Sequence, residues 1–349
     1  MTRLILKKIL IGMAVSVVSV LLAGCNINVF APRPRMGTLP TPPPGPRFSD
    51  PNHLGRHSYY FNPFENNGIL YTNKAGHIDL THLRWNADYT RYLTKKTCTT
   101  LMKKRKGYSF NVTWELSTHK IEFIYPENWD NLPKKEKEKI AEEISFEVGP
   151  YITFNATLWH EIITWFGTRF AGIEPEFNSA FSWEDLYSNV LGIKLGLEAI
   201  KDPNHSYDTA LTMAINREMK RLGVRSRSDA IYASEKMRGK WFRGYLDVDT
   251  MRKNMDTGVD DGFVSPILVP GMCDDAVPER IAVPVINSLS KYGFTMKYKI
   301  SPNIWEEGKI FKVVYPNGKG KKIVPDKHYP ILMDYIRKQA IEEYGYEVD

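Results

Sequence analysis

His160 and Glu161 stand side by side in an apolar stretch, Leu158 to Gly192 (LWHEIITWFGTRFAGIEPEFNSAFSWEDLYSNVLG). A His next to a Glu in mid-helix can do metal chemistry: the His binds the ion and the Glu works on metal-bound water. The usual spacing asks for a second His one turn on, and that position here is Thr164. Other ligands must then come from elsewhere, because a zinc site needs three protein donors and an open fourth position. His77 and His82, in GHIDLTHLR, are the nitrogen candidates, and Glu184 or Asp185 would supply the carboxylate from a following helix. Glu161 would be the general base, given surroundings that lift its pKa towards neutrality. The opposing reading is a polar knot in a core, because Glu184 and Asp185 also suit the first turn of a helix on electrostatic grounds alone.

Two further arrangements have the right residue types. His77, Asp79, His82, Arg84 and Asp88 lie close together after Gly76, which could turn the backbone so that His77 points into a cleft. Arg84 and Asp88 are four apart and read as an ion pair on one helix face. The aromatic residues Trp159, Trp165, Phe166, Phe181, Trp183 and Tyr187 are mostly core at these spacings. Some could instead line a groove for sugar rings, with Glu161 and Glu184 or Asp185 as acid and base. Serine-hydrolase and nucleotide-binding patterns are absent, so neither chemistry gains support.

The elements that must position these groups read as α+β, with a helix-rich centre and short antiparallel strands towards both ends. Gly68–Thr72 is a short strand, and a helix begins at about Thr81 behind an Asp79 or Thr81 cap. Tyr108–Leu116 and Lys120–Tyr125 form a hairpin. Pro133 opens a charged helix that Gly149-Pro150 is expected to break, and a second, buried helix carries His160. Ser182 is the expected cap of the helix bearing Glu184 and Asp185. Helices follow over 207–222 and 228–238, strands near 262–264, 294–300 and 310–315, and a last helix from Pro325.

The chain begins with a leader. Arg3, Lys7 and Lys8 precede an apolar run from Ile9 to Ala23 that is short for a membrane span. Residues 1–24 are therefore a signal peptide, 25–57 a Pro-rich tether and 58–349 one globular α+β domain. The net charge is +7 overall and +4 once the three basic leader residues are set aside, too little to argue for a nucleic-acid partner. After the leader, Cys98 and Cys273 could form one disulfide, worth up to roughly 5 kcal/mol on a chain-entropy basis, or remain two core thiols.

Leu22-Ala23-Gly24-Cys25 closely resembles the lipobox of bacterial lipoproteins. The resemblance implies cleavage before Cys25, lipidation of its thiol and, with Asn26 following, an outer-membrane anchor facing the periplasm. Lipobox, GHIDLTHLR, LWHEIITWFG and SAFSWEDLYSNVLG together resemble an uncharacterised bacterial lipoprotein family, domain-of-unknown-function family 4056, from about Phe61 to beyond Arg280. Over a much narrower span, His160-Glu161 with Glu184/Asp185 is similar to zinc metallopeptidases and departs from them at Thr164. The combined expectation is a hydrolase-like, zinc-dependent site acting on peptide or cell-wall polymer. Its rival is a non-catalytic envelope lipoprotein that binds a ligand or has a structural role.

Overall fold

In the computed structural model the described residues are 30–35, 48–60, 64–112, 115–167, 169–170, 174–175, 177–244 and 248–348. The expected leader and Cys25 lie outside them, as do residues 36–47 of the Pro-rich stretch. The fold class is α+β. None of the described helices is long and apolar enough to cross a membrane.

Three helices packed on one another make the centre: α1 (Leu80–Met102), α2 (Lys134–Trp165) and α3 (Asp185–Lys201). A hairpin of β1 (Ile69–Thr72) and β2 (Gly76–Asp79) leads directly into α1. The Asp79 side chain caps α1 by accepting from Thr81 N at 2.7 Å, which satisfies one of the amides that a helix start leaves without a partner. Gly76, at φ +62°, makes the hairpin turn, and a Cβ there would lie 2.1 Å from Ile267 O.

α2 is one 32-residue helix, so Gly149-Pro150 does not end it. Proline inside a helix removes one hydrogen bond and crowds the preceding turn. Tertiary packing outweighs that here, because the same Gly lets α1 approach closely. A Cβ on Gly149 would sit 2.1 Å from Thr94 Oγ1 and 2.7 Å from the Thr94 backbone. Gly192 and Gly196 do the same for α3, where added Cβ atoms would meet Leu83 O at 2.1 Å and Ala87 Cα at 2.6 Å. Glycines one turn apart give the two helices a near backbone-to-backbone contact, and this brings Asn86 Nδ2 to 2.7 Å from Asn189 Oδ1.

Around this core lies an antiparallel sheet in the order β5 (Thr295–Ser301), β4 (Thr118–Ile124), β3 (Gly107–Asn111). On β4, His119, Ile121 and Phe123 alternate inward, as the period-2 pattern requires. Helices α4 (Tyr207–Arg221) and α5 (Arg227–Lys236) follow α3, and α6 (Glu307–Val314) and α7 (Pro325–Glu342) close the chain. The strand expected over 310–315 is α6 instead. Ile310 and Val314 are both buried, four residues apart on one face, and the short apolar run satisfied either period. A second, smaller core joins Phe48, Tyr71, Trp183, Trp241 and Phe242.

Candidate active site

The first two turns of α1, the last turns of α2 and the start of α3 converge on one buried polar centre. His82 lies at its edge. Its Nδ1 is 3.0 Å from Asp79 Oδ2 and 2.8 Å from Asp185 Oδ1, and its side chain is 18% exposed. Nδ1 itself is enclosed, so the exposed part of the ring lies away from the two carboxylates. Burial disfavours the charged ring, but Asp185 and Asp79 outweigh it and push the His82 pKa well up. At neutral pH this residue is an imidazolium.

Glu161 is buried one step inward. Its Oε2 accepts from Phe181 N at 2.7 Å, on a backbone held at φ +55°. Burial first, then the neighbouring Asp185, push its pKa up to about 7. Glu184 is pushed well up for the same two reasons, with Asp79 adding to them. Ser182 Oγ lies 2.9 Å from Glu184 Oε1 and 2.7 Å from Asp185 Oδ2. A hydroxyl has one proton to give. Ser182 Oγ therefore donates to one of these two carboxyls at a time, and Asp185 also faces the His82 imidazolium. Ser182 thus bridges the two acids and is not the cap of α3, whose N-cap is Glu184 with no side-chain capping bond.

Lys253 enters from the far part of the chain. It is fully buried, donates to Asn178 O at 2.9 Å and Thr250 Oγ1 at 2.8 Å, and burial pulls its pKa down to about 8 despite Glu161 and Asp185 nearby. No spacing in the sequence points to it, because it sits in an irregular stretch far from the helices it serves.

His160 holds a second carboxylate. Its Nδ1 is 3.0 Å from Glu115 Oε1, its side chain is 27% exposed, and its ring meets Trp85 edge-on at 6.0 Å. Glu115 is fully buried. Burial would raise its pKa, yet the facing rings of His119, 3.9 Å away, and His160 prevail and hold it below the ordinary carboxylate value. His119 turns its other nitrogen to Tyr298 OH at 2.7 Å. No spacing in the sequence points to Glu115 either; it follows the β3 strand in chain order and shows its role only once β4 and α2 pack together.

Several expected partners are elsewhere. His77 is not part of the centre: it is buried against Tyr71 and Trp183, accepts from Trp183 Nε1 at 3.3 Å, and burial pulls its pKa down to about 3. His77 and Asp79 are two apart on β2, so alternation alone would put them on one face. His77 is held apart by its cross-strand partner Tyr71 and by Trp183, both members of the second core. Arg84 and Asp88 do not pair. Arg84 donates to Leu54 O, Asn66 O and Asn67 Oδ1, while Asp88 accepts from Arg35, His57 and Tyr207. The aromatic residues proposed for sugar stacking are enclosed, Trp159 and Phe181 completely, so their faces are used by the core. Cys273 is a free, half-buried thiol that donates to Asn73 Oδ1 at 2.8 Å, so it forms no disulfide with Cys98.

His160, His77, His82, Glu184 and Asp185 do not bring three donor atoms together. Among the described residues, a trio with all donor atoms within 4.8 Å of one another occurs only at Asp256, Asp260 and Asp261, on the surface.

A family model described as a protein of unknown function (DUF4056) matches residues 48–250, more than half of the 349. The chain belongs to this family. The DUF4056 match starts earlier than the expected Phe61 and ends before Arg280. It takes in Asp79, His82, Glu115, His160, Glu161, Glu184 and Asp185, and stops just short of Lys253. No curated protein and no solved structure matches the chain.

Proposed function

We propose that this DUF4056 protein is an exported lipoprotein, anchored through Cys25 in the outer membrane and facing the periplasm, whose polar centre is a hydrolytic site for peptide or cell-wall polymer. The observation that carries the catalytic part is one arrangement. Two helices deliver two partly exposed histidines, each with Nδ1 on a buried carboxylate, beside a carboxyl poised near neutrality. A carboxylate on one ring nitrogen fixes tautomer and orientation, which a working histidine requires.

In the metal-free chemistry, Glu161 takes a proton from water as general base, its pKa near 7 suiting it to that task. The His82 imidazolium stabilises developing negative charge and returns a proton to the leaving group. Asp79 and Asp185 hold its ring, and Lys253 adds positive charge behind the acids. Zinc belongs to the proposal in a narrower form than the sequence suggested. His82 and His160 are the two nitrogen donors this centre offers, and zinc would need a third donor beside them. Asp185 and Glu115 would orient the two rings, and Glu161 would be the base. His77 drops out. Binding would displace the His82 proton, since only neutral imidazole ligates.

The rival reading, a ligand-binding or structural envelope protein, draws on a different observation. Glu161, Glu184 and Asp185 already have internal donors and are closed off from solvent. Metal content and turnover of peptides and muropeptides separate the two. Stoichiometric zinc, lost in His82→Ala and His160→Ala but kept in an inactive Glu161→Gln, supports a metal hydrolase. Turnover without metal, abolished by Glu161→Gln, supports the acid–base form. Neither metal nor turnover, with variants altered only in stability, would leave the structural reading in place.

A further inference from the structure

Away from that centre, the N-terminal arm is locked to the body by an arginine. Phe30–Arg35 (FAPRPR) belongs to the Pro-rich stretch expected to act as a tether. Yet Arg35 is 1% exposed and sits between two equally buried carboxylates. It donates to Glu65 at 3.1 Å through both Nε and Nη2, to Asp88 Oδ2 at 2.6 Å and to Ser58 O at 3.2 Å. His57 closes the site from behind, with Nδ1 3.1 Å from Glu65 and Nε2 2.9 Å from Asp88. Arg33 adds a second ion pair to Glu65, and Tyr59 OH donates to Phe30 O at 2.6 Å.

A planar guanidinium matches this fork of acceptors, and removing one partner of a buried ion network strands the opposite charges. The arm is therefore clasped and does not swing. Only four residues, Asn26 to Val29, then lie between Cys25 and the bound Phe30, a span of five Cα–Cα steps. Extended chain covers at most about 3.6 Å per residue, so this spacer reaches about 18 Å. The surface around the clasp is also unusual in what it exposes: Phe30 (77%), Tyr60 (58%) and Phe64 (78%) all face solvent, with Arg56 exposed nearby. Aromatic rings with a basic neighbour suit the boundary of a bilayer, where an apolar body meets headgroups.

We infer that the Arg35 clasp converts the expected long tether into a short one and holds the Phe30/Tyr60/Phe64 surface of the body against the lipid bilayer. This rests on the lipid-anchor reading above. The orientation would place the protein at the membrane surface, so its substrate or partner would meet it there and not at the end of a flexible reach.

The test uses the full-length protein, processed and purified from membranes and reconstituted in vesicles of phosphatidylethanolamine and phosphatidylglycerol. Nitroxide labels are placed at Phe64→Cys and, as a control beside the β1–β2 turn, at Val277→Cys, both in a Cys273→Ser background. The mass of the N-terminal peptide reports lipid on Cys25 independently. The expected result is that vesicles shield the label at position 64 from a water-soluble relaxation reagent but leave that at 277 accessible. Arg35→Ala should abolish this shielding with lipid content unchanged. Tyr60→Ser, which leaves the clasp intact, should weaken it, so the outcome does not depend on one variant folding. Lipid on Cys25 with equal accessibility at 64 and 277 would overturn the inference and spare the anchor. Absence of lipid on Cys25 would overturn the anchor reading and this inference with it.

Discussion

Replacing Glu161 with Gln isolates the cost of burying an ionised carboxylate at the centre. The side chain is enclosed, and its pKa stands at about 7 against an ordinary 4.5, raised by burial and then by Asp185. Folding therefore holds the Glu161 proton more tightly than the unfolded chain does. The sign follows from linkage: this contribution is fully present below about pH 4.5 and is lost as pH rises through 7. A displacement of about 2.5 units at 1.36 kcal/mol each gives about 3 kcal/mol, an upper figure because Lys253 partly compensates the charge. Glutamine keeps an oxygen for Phe181 N and never ionises. Denaturant unfolding, in chelator and at intervals from pH 4 to 9, should find the two proteins closely matched near pH 4.5. At pH 8 the variant should be the more stable by about 3 kcal/mol or somewhat less. A stability difference that does not vary with pH would refute the reasoning, because Glu161 would then titrate alike in both states.

Three other outcomes follow from the same structure. His82→Ala should cost about 3–5 kcal/mol at neutral pH by leaving Asp79 and Asp185 face to face without a cation, and proton NMR of the native protein should find the His82 ring still charged at pH 7. His77, with its pKa pulled to about 3, should make the native protein progressively less stable as pH falls from 6.5 towards 3; His77→Phe should flatten that acid limb in denaturant melts. Gly192→Ala, whose new Cβ would sit 2.1 Å from Leu83 O, should force α1 and α3 apart and cost about 1–3 kcal/mol or more by thermal unfolding.

Much of the scaffold was legible in the residues because local rules decide it. Asp79 caps α1, the 108–125 hairpin alternates, and the last helix opens at Pro325, each by chemistry within a few positions. Where two local rules conflicted, only packing could arbitrate. Gly149-Pro150 reads as a helix break in isolation, yet Thr94 of α1 packs where a side chain would be. Ile310 to Tyr315 fits either period, and burial of Ile310 with Val314 selects the helix.

The candidate site divides along the same line. The sequence by itself determined which residues could do chemistry, since His82, His160, Glu161, Glu184 and Asp185 are recognisable by type and neighbourhood. It also narrowed the cap of the first helix to Asp79 or Thr81, and the structure selects Asp79. Only the tertiary structure decided which of them meet. It turned His77 into the second core, set Glu115 behind His160, made Ser182 a bridge between two carboxyls and buried Lys253 beside Glu161. The physical reason is that a side chain's type is a local property, whereas its charge state and partners depend on burial and on groups from distant segments. A buried carboxyl near pH 7 exists only where several chain segments exclude water around it together.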